Sequence, residues 1–149
     1  MFKASLHNCT IDKLPKIAQL IVDTMQETNI KACFFSGHIG IGKTALIQSI
    51  TQLLGVKNRV NSPSFNIMNE YETNNGVPIY HFDFYRITGV SEAIDMGVLE
   101  YLDNQKAYRF IEWSENIINL LISKYILIAI HGDKYNSRNY KIEEITNEL

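Results

Sequence analysis

Apolar residues recur along this chain in two rhythms, and the switches between them mark out its elements. Leu14, Ile17, Ala18, Ile21 and Met25 return at three- and four-residue intervals, which predicts a helix running to about Gln26. Thr10 is its expected N-cap, with Asp12 and Pro15 in the first turn. The same rhythm places Leu46, Ile47, Ile50 and Leu53 on one face of a second helix, Lys43 to Leu54. Between the two, Lys31 to Phe35 is a short apolar run ending at Ser36-Gly37, which reads as a buried strand. Phe2 to Leu6 is expected to form a short first strand. Phe65 to Tyr71 and Pro78 to Phe84 read as strands around Thr73-Asn74-Asn75-Gly76, a strong hairpin-turn signal. In the second of these, Tyr80, Phe82 and Phe84 point one way, and His81, Asp83 and Tyr85 the other. Short helical pieces over Ser91 to Leu102, a buried strand over Ala107 to Ile111 and a helix over Asn116 to Ser123 follow. The chain is then expected to close with a strand over Tyr125 to Ile130 and an edge strand over Tyr140 to Ile145.

Strands alternating with helices in this order predict an α/β fold of three layers around a mostly parallel sheet, which the middle hairpin makes mixed. At 149 residues, with no repeat and no Pro/Gly/Ser linker, the chain is expected to form a single domain over residues 1–149. Apolar residues are 46% and charged residues 20%, which excludes a disordered chain. The formal charge of −2 lacks the basic surplus of a protein that grips nucleic acid by its phosphates, so any such role is shared with a partner. Cys9 and Cys33 form no CxxC pair and, with four scattered histidines, no zinc pattern; buried thiols are expected. The N-terminus has no long apolar stretch, and the run Tyr125 to Ile130 is far short of the roughly 20 residues that span a bilayer, so a cytoplasmic protein is expected.

One segment carries explicit chemistry. Gly37-His38-Ile39-Gly40-Ile41-Gly42-Lys43-Thr44 fits the phosphate-loop pattern Gly-x-x-x-x-Gly-Lys-Ser/Thr in full. It follows an apolar strand and opens an amphipathic helix, the context that the motif requires. Its glycines let successive backbone N–H groups turn inward on phosphates, and the positive end of the helix faces the same anion. Lys43 can reach the β- and γ-phosphates, and the Thr44 hydroxyl can ligate magnesium. A three-layer P-loop NTPase fold is therefore expected, with nucleotide contacts spread from Gly37 to Ala45.

Such a loop needs a second carboxylate near the metal. Glu112 comes just past the buried strand Ala107 to Ile111, and Asp83 lies within the alternating strand Tyr80 to Phe84. An ion pair of Asp83 with Arg86, or a solvated strand end at Glu112, would explain each without a ligand. A GTPase would carry Asn/Thr-Lys-x-Asp and a switch Asp-x-x-Gly, and neither is present. A small-molecule kinase would carry a lid of arginines, whereas Arg59, Arg86, Arg109 and Arg138 are scattered. ATP hydrolysis or ATP sensing is favoured over both.

Taken together, four motifs resemble one family: Ser36 to Thr44; Asn61-Ser62-Pro63-Ser64-Phe65 with Tyr71; His81-Phe82-Asp83-Phe84-Tyr85-Arg86; and Ile111-Glu112-Trp113. In this order and spacing, over about residues 5 to 130, they are similar to the TsaE (YjeE) family, bacterial ATPases of tRNA threonylcarbamoyladenosine synthesis. The resemblance implies that Lys43 and Thr44 contact phosphate and magnesium, with Glu112 completing the metal site. It implies that Asp83 is a switch-like carboxylate near the γ-phosphate, that Ser62 to Phe65 form a first switch segment and that Trp113 lies close to the nucleotide. It also implies two partner subunits, of the TsaB and TsaD type, which transfer the threonylcarbamoyl group and make most of the contact with tRNA. A core position for Trp113, a non-hydrolytic nucleotide-gated adaptor and a small P-loop kinase are the competing readings. The chain departs from the family at His38, where an acidic residue is usual, and at Ala45 and Ser64, where Thr is common. An exposed loop residue is the simpler account of His38.

Overall fold

The computed structural model describes residues 1–63, 66–113, 122–132 and 136–147. Its strands are β1 (Lys3–Cys9), β2 (Ala32–Ser36), β3 (Met68–Glu72), β4 (Pro78–Asp83), β5 (Tyr108–Glu112), β6 (Lys124–Gly132) and β7 (Arg138–Thr146). The helices are α1 (Leu14–Thr28), entered through a 3-10 turn over Ile11–Lys13, then α2 (Lys43–Leu53), α3 (Val90–Asp95) and α4 (Leu99–Leu102). The strands form one sheet in the order β1-β7-β6-β2-β5-β4-β3. Its centre, β6-β2-β5-β4, is parallel, and both flanks are antiparallel.

Alternation along the central strands divides the core in two. Cys33, Phe35, Ile79, Phe110, Ile126 and Ile128 face α1 and α2, meeting Ile17, Ile21, Leu46, Ile47 and Ile50. Ala32, Phe34, Tyr80, Phe82 and Ile111 face the opposite side, where Ala93 of α3 and Leu102 of α4 cover them. This is the three-layer α/β arrangement expected of a sheet with two apolar faces.

Several boundaries differ from the expected ones. Thr10 does not cap α1: its hydroxyl bonds the Asp12 side chain, the 3-10 turn intervenes, and Lys13 takes the cap position. Asn29, in the left-handed conformation, ends α1. The strand expected over Tyr140–Ile145 is not at an edge, because β1 adds antiparallel to its outer side and leaves β7 between β1 and β6. The hairpin turn forms at the expected residues, with Thr73 N–H bonded to the Val77 carbonyl at 2.9 Å. Most of the helix expected over Asn116–Ser123 lies outside the described residues, as do Ser64 and Phe65. Cys9 and Cys33 are buried free thiols. Among the described residues no helix is long and apolar enough to cross a membrane.

Candidate phosphate site

The parallel register brings the chemistry to one edge of the sheet. Phe35 of β2 pairs with Glu112 of β5, and Glu112 pairs with Asp83 of β4, so three carboxyl-terminal strand ends lie side by side. This is the edge at which open α/β sheets hold ligands. The loop leaves β2 through Gly37, whose φ of +153° strains any side chain. A Cβ there would come within 2.9 Å of the Ile130 carbonyl oxygen. Gly42, at φ +115°, occupies the N-cap of α2, which aims the helix's positive end at the loop.

A cavity of about 360 Å³ opens over this edge. Ile39, Gly40, Gly42, Lys43, Thr44, Ala45, Ser62, Asp83, Glu112 and Trp113 all line it, so most of the expected site residues converge. Gly37 and His38 stand outside its lining; His38 is exposed, its ring Nδ1 3.0 Å from the Ile39 carbonyl oxygen. Ile41 turns away into the core beside α1 and α2.

A chain of oxygen atoms runs across the cavity floor. Thr44 Oγ1 lies 2.6 Å from Ser62 Oγ, which donates over 3.4 Å to Glu112 Oε2. Glu112 closes β5 as its last residue rather than following it, and is only 2% exposed. Ser62 is held in place from β3: Asn61 N–H donates to Tyr71 Oη at 3.1 Å, and that hydroxyl donates back to the Asn61 carbonyl at 3.2 Å. Lys43, 5% exposed, donates to the Gly37 carbonyl and sets its ammonium 3.2 Å from the Trp113 ring centroid. Trp113 has a φ of +60°, a conformation that costs a bulky residue about 1–3 kcal/mol, and Tyr85 meets its ring edge-on at 5.2 Å.

Three contributors carried no expected role. His81 is fully buried, and its Nε2 lies 2.7 Å from Glu112 Oε2, while its Nδ1 finds no partner among the described residues. Tyr85 lines the cavity. The signal for both was their spacing of two from Asp83 on one face of the strand. Arg138 donates its Nε–H to the Ile41 carbonyl at 3.1 Å across 97 positions, and no local pattern could announce that contact.

Asp83 forms no salt bridge with Arg86 among the described residues, and its Oδ1 accepts the Tyr85 N–H at 3.0 Å. Burial holds its carboxyl above the ordinary value of 3.8; the Glu112 carboxylate adds to this, while the Tyr85 N–H, His81 and Lys43 oppose it. The folded chain therefore keeps this proton over a window that opens near 3.8, where the unfolded chain has already released it. Stability falls as pH rises through that window, and the penalty is complete above it. Asp83→Asn retains the acceptor for Tyr85 N–H and removes the penalty. Urea unfolding should find the variant more stable than the parent near neutral pH, with the gap closing below the window.

Sheet order, glycine loop and strand-end carboxylates define a P-loop NTPase fold. The family described as Threonylcarbamoyl adenosine biosynthesis protein TsaE matches residues 9–140, and the chain belongs to it. Similar proteins include the tRNA threonylcarbamoyladenosine biosynthesis protein TsaE of Haemophilus influenzae, 34% identical over 133 residues, 89% of this chain and 81% of that one. The protein of the same name from Rickettsia typhi is 33% identical over 141 residues, 93% of this chain and 94% of that one. The crystal structure of Bacillus subtilis YdiB shares the fold, with a TM-score of 0.61 at 24% identity over 98% of this chain and 86% of that one.

Proposed function

We propose that this chain serves tRNA threonylcarbamoyladenosine synthesis in the cytoplasm as an ATPase subunit. It binds ATP with magnesium, and its hydrolysis of ATP regulates or resets a partner transferase of TsaB- and TsaD-type subunits. The observation that carries this reading is the convergence of Lys43, Thr44, Ser62, Asp83 and Glu112 on one cavity at the sheet's carboxyl edge.

The donor set fits a hard divalent cation. Two hydroxyls and a carboxylate oxygen lie in one line of contacts, with no sulfur ligand among the lining residues. Thr44 and Glu112 would hold magnesium, whose chemistry is to neutralise charge on the phosphate oxygens. The loop N–H groups bind phosphate, and Lys43 exchanges the Gly37 carbonyl and the Trp113 face for phosphate oxygens. Asp83, with its raised proton affinity, orients water or takes up a proton at its carboxylate. His81 fixes the Glu112 oxygen through Nε2, as partners of metal-binding carboxylates do.

His81→Ala should weaken nucleotide binding about 10–100-fold in the presence of magnesium, and far less in its absence. His81→Gln, whose amide still donates, should recover part of the loss. Calorimetric titration with and without magnesium checks both. The proposal as a whole is tested by phosphate release from ATP, with the purified chain alone and with the two partner subunits. Release in either setting supports it. Tight ATP binding with no release in either would make the chain a nucleotide-gated adaptor instead.

A further inference from the structure

Ser62 reaches the cavity from irregular backbone, on the stretch that joins α2 to β3. Such backbone has no ladder to hold it, so its polar groups turn to side chains or water. Here side chains from two elements supply the hold. Gln48 of α2 donates its Nε2–H to the Val60 carbonyl at 2.7 Å. The Tyr71 hydroxyl of β3 accepts from the Asn61 N–H at 3.1 Å and donates to the Asn61 carbonyl at 3.2 Å. The Asn69 amide donates to that same carbonyl, also at 3.2 Å. We propose that Tyr71 is a positioning residue for the magnesium side of the site, acting through Asn61 on Ser62. The inference rests on the magnesium reading of that site and adds a group, outside the cavity lining, that sets its geometry.

The position of Ser62 matters because its hydroxyl stands between the two groups that would hold the cation. It lies 2.6 Å from Thr44 Oγ1 and 3.4 Å from Glu112 Oε2. Magnesium takes its ligands at about 2.0–2.1 Å in near-ideal octahedral geometry, so small displacements of a nearby oxygen are felt. Thr44 is set by the first turn of α2, and Glu112 by its pairing with β2 and β4. Ser62 lies in no helix or strand, so its placement falls to its neighbours. One of them, Asn61, has both backbone polar groups engaged by a single hydroxyl.

Ring and hydroxyl of Tyr71 do separate work. The ring packs against the core on the α1 and α2 side, which a phenylalanine ring would do as well. The hydroxyl accepts and donates at once, which phenylalanine cannot. The tie also runs between elements. Tyr71 pairs with Ile79, and Asn69 with His81, in the antiparallel ladder of β3 and β4. Strand β4 is the one that carries His81 and Asp83 to the sheet's carboxyl edge. Through Tyr71, the Ser62 hydroxyl is thus held in register with the same strand pair that places His81 against Glu112.

Tyr71→Phe removes the hydroxyl and keeps the ring. ATP is titrated calorimetrically into the full-length parent and variant, once with magnesium and once with EDTA. With magnesium the variant should bind ATP about tenfold more weakly than the parent, and with EDTA almost as tightly. Made in a Ser62→Ala background, the same change should bring no further loss, because its route to the cation is already gone. Looser packing alone would weaken binding in both buffers and in both backgrounds. Equal loss with and without magnesium, a full further loss in Ser62→Ala, or unchanged affinity with magnesium would each overturn the proposal. If urea unfolding shows Tyr71→Phe to be unfolded, Asn69→Ala removes a donor to the same Asn61 carbonyl and is held to the same outcomes. A parent chain whose ATP affinity did not depend on magnesium would instead overturn the magnesium reading, and this one with it.

Discussion

Lys43→Ala is expected to weaken binding of ATP with magnesium by at least about tenfold, and by up to several powers of ten. A charge-assisted hydrogen bond to phosphate contributes about 1.5–3 kcal/mol, and the ammonium sits in a buried setting where water screens it poorly. Because the side chain also packs under Trp113, the loss could be misread as damage to the loop. Lys43→Met separates the two, since it fills the stem's volume without the charge. Both variants should therefore lose affinity alike, and Lys43→Met should keep an unfolding midpoint nearer the parent's than Lys43→Ala does. Calorimetric titration that found unchanged affinity in either would remove the phosphate-binding role from this loop. The indole provides a second readout, because withdrawing the cation from its face should alter Trp113 emission even without nucleotide.

The parts of this site that were legible in the sequence are those set by short-range rules. Gly37 to Thr44 could be read because a loop that turns its N–H groups inward needs glycine at fixed places. Asp83 and Glu112 could be read because a carboxylate at the end of an apolar strand has no partner in the strand itself. The contact between His81 and Glu112 depends on β4 and β5 pairing in parallel with Asp83 opposite Glu112. Alternation showed which face His81 occupied, but not which neighbouring strand it would meet. The inner position of β7 was hidden for a similar reason. Tyr140 and Ile142 alternate as a half-buried strand would, and nothing in that pattern shows that the first strand returns to cover the outer edge. Arg138 reaches the loop only because that return, together with pairing to β6, fixes the head of β7 beside Ile41.

The arginines of this chain lead to the largest effect expected. Phosphoryl transfer relies on cationic stabilisation of charge in the transition state, and an arginine supplied there is worth on the order of 10³–10⁵ in rate. Arg109 is buried and bonded to the Leu102 and Ala107 carbonyls, so it cannot reach the cavity. Arg138 is committed to the Ile41 and Ser137 carbonyls. Arg59 is exposed and lies outside the cavity's lining, which leaves Arg86, exposed three residues after Asp83. Under the proposed function, turnover by the isolated chain should be slow, and the partner subunits should raise it by a large part of that 10³–10⁵ range. The net charge of −2 predicts in addition that tRNA is held mainly by the partners. Phosphate release measured with and without them, and tRNA binding by the chain alone at physiological salt, check the two expectations. Partner-stimulated rates in the isolated chain, or tight tRNA binding by it, would contradict them. Arg86→Ala then locates the cation. Loss of stimulated turnover in a complex that still assembles would assign it to this chain, and unchanged stimulation would assign it to a partner.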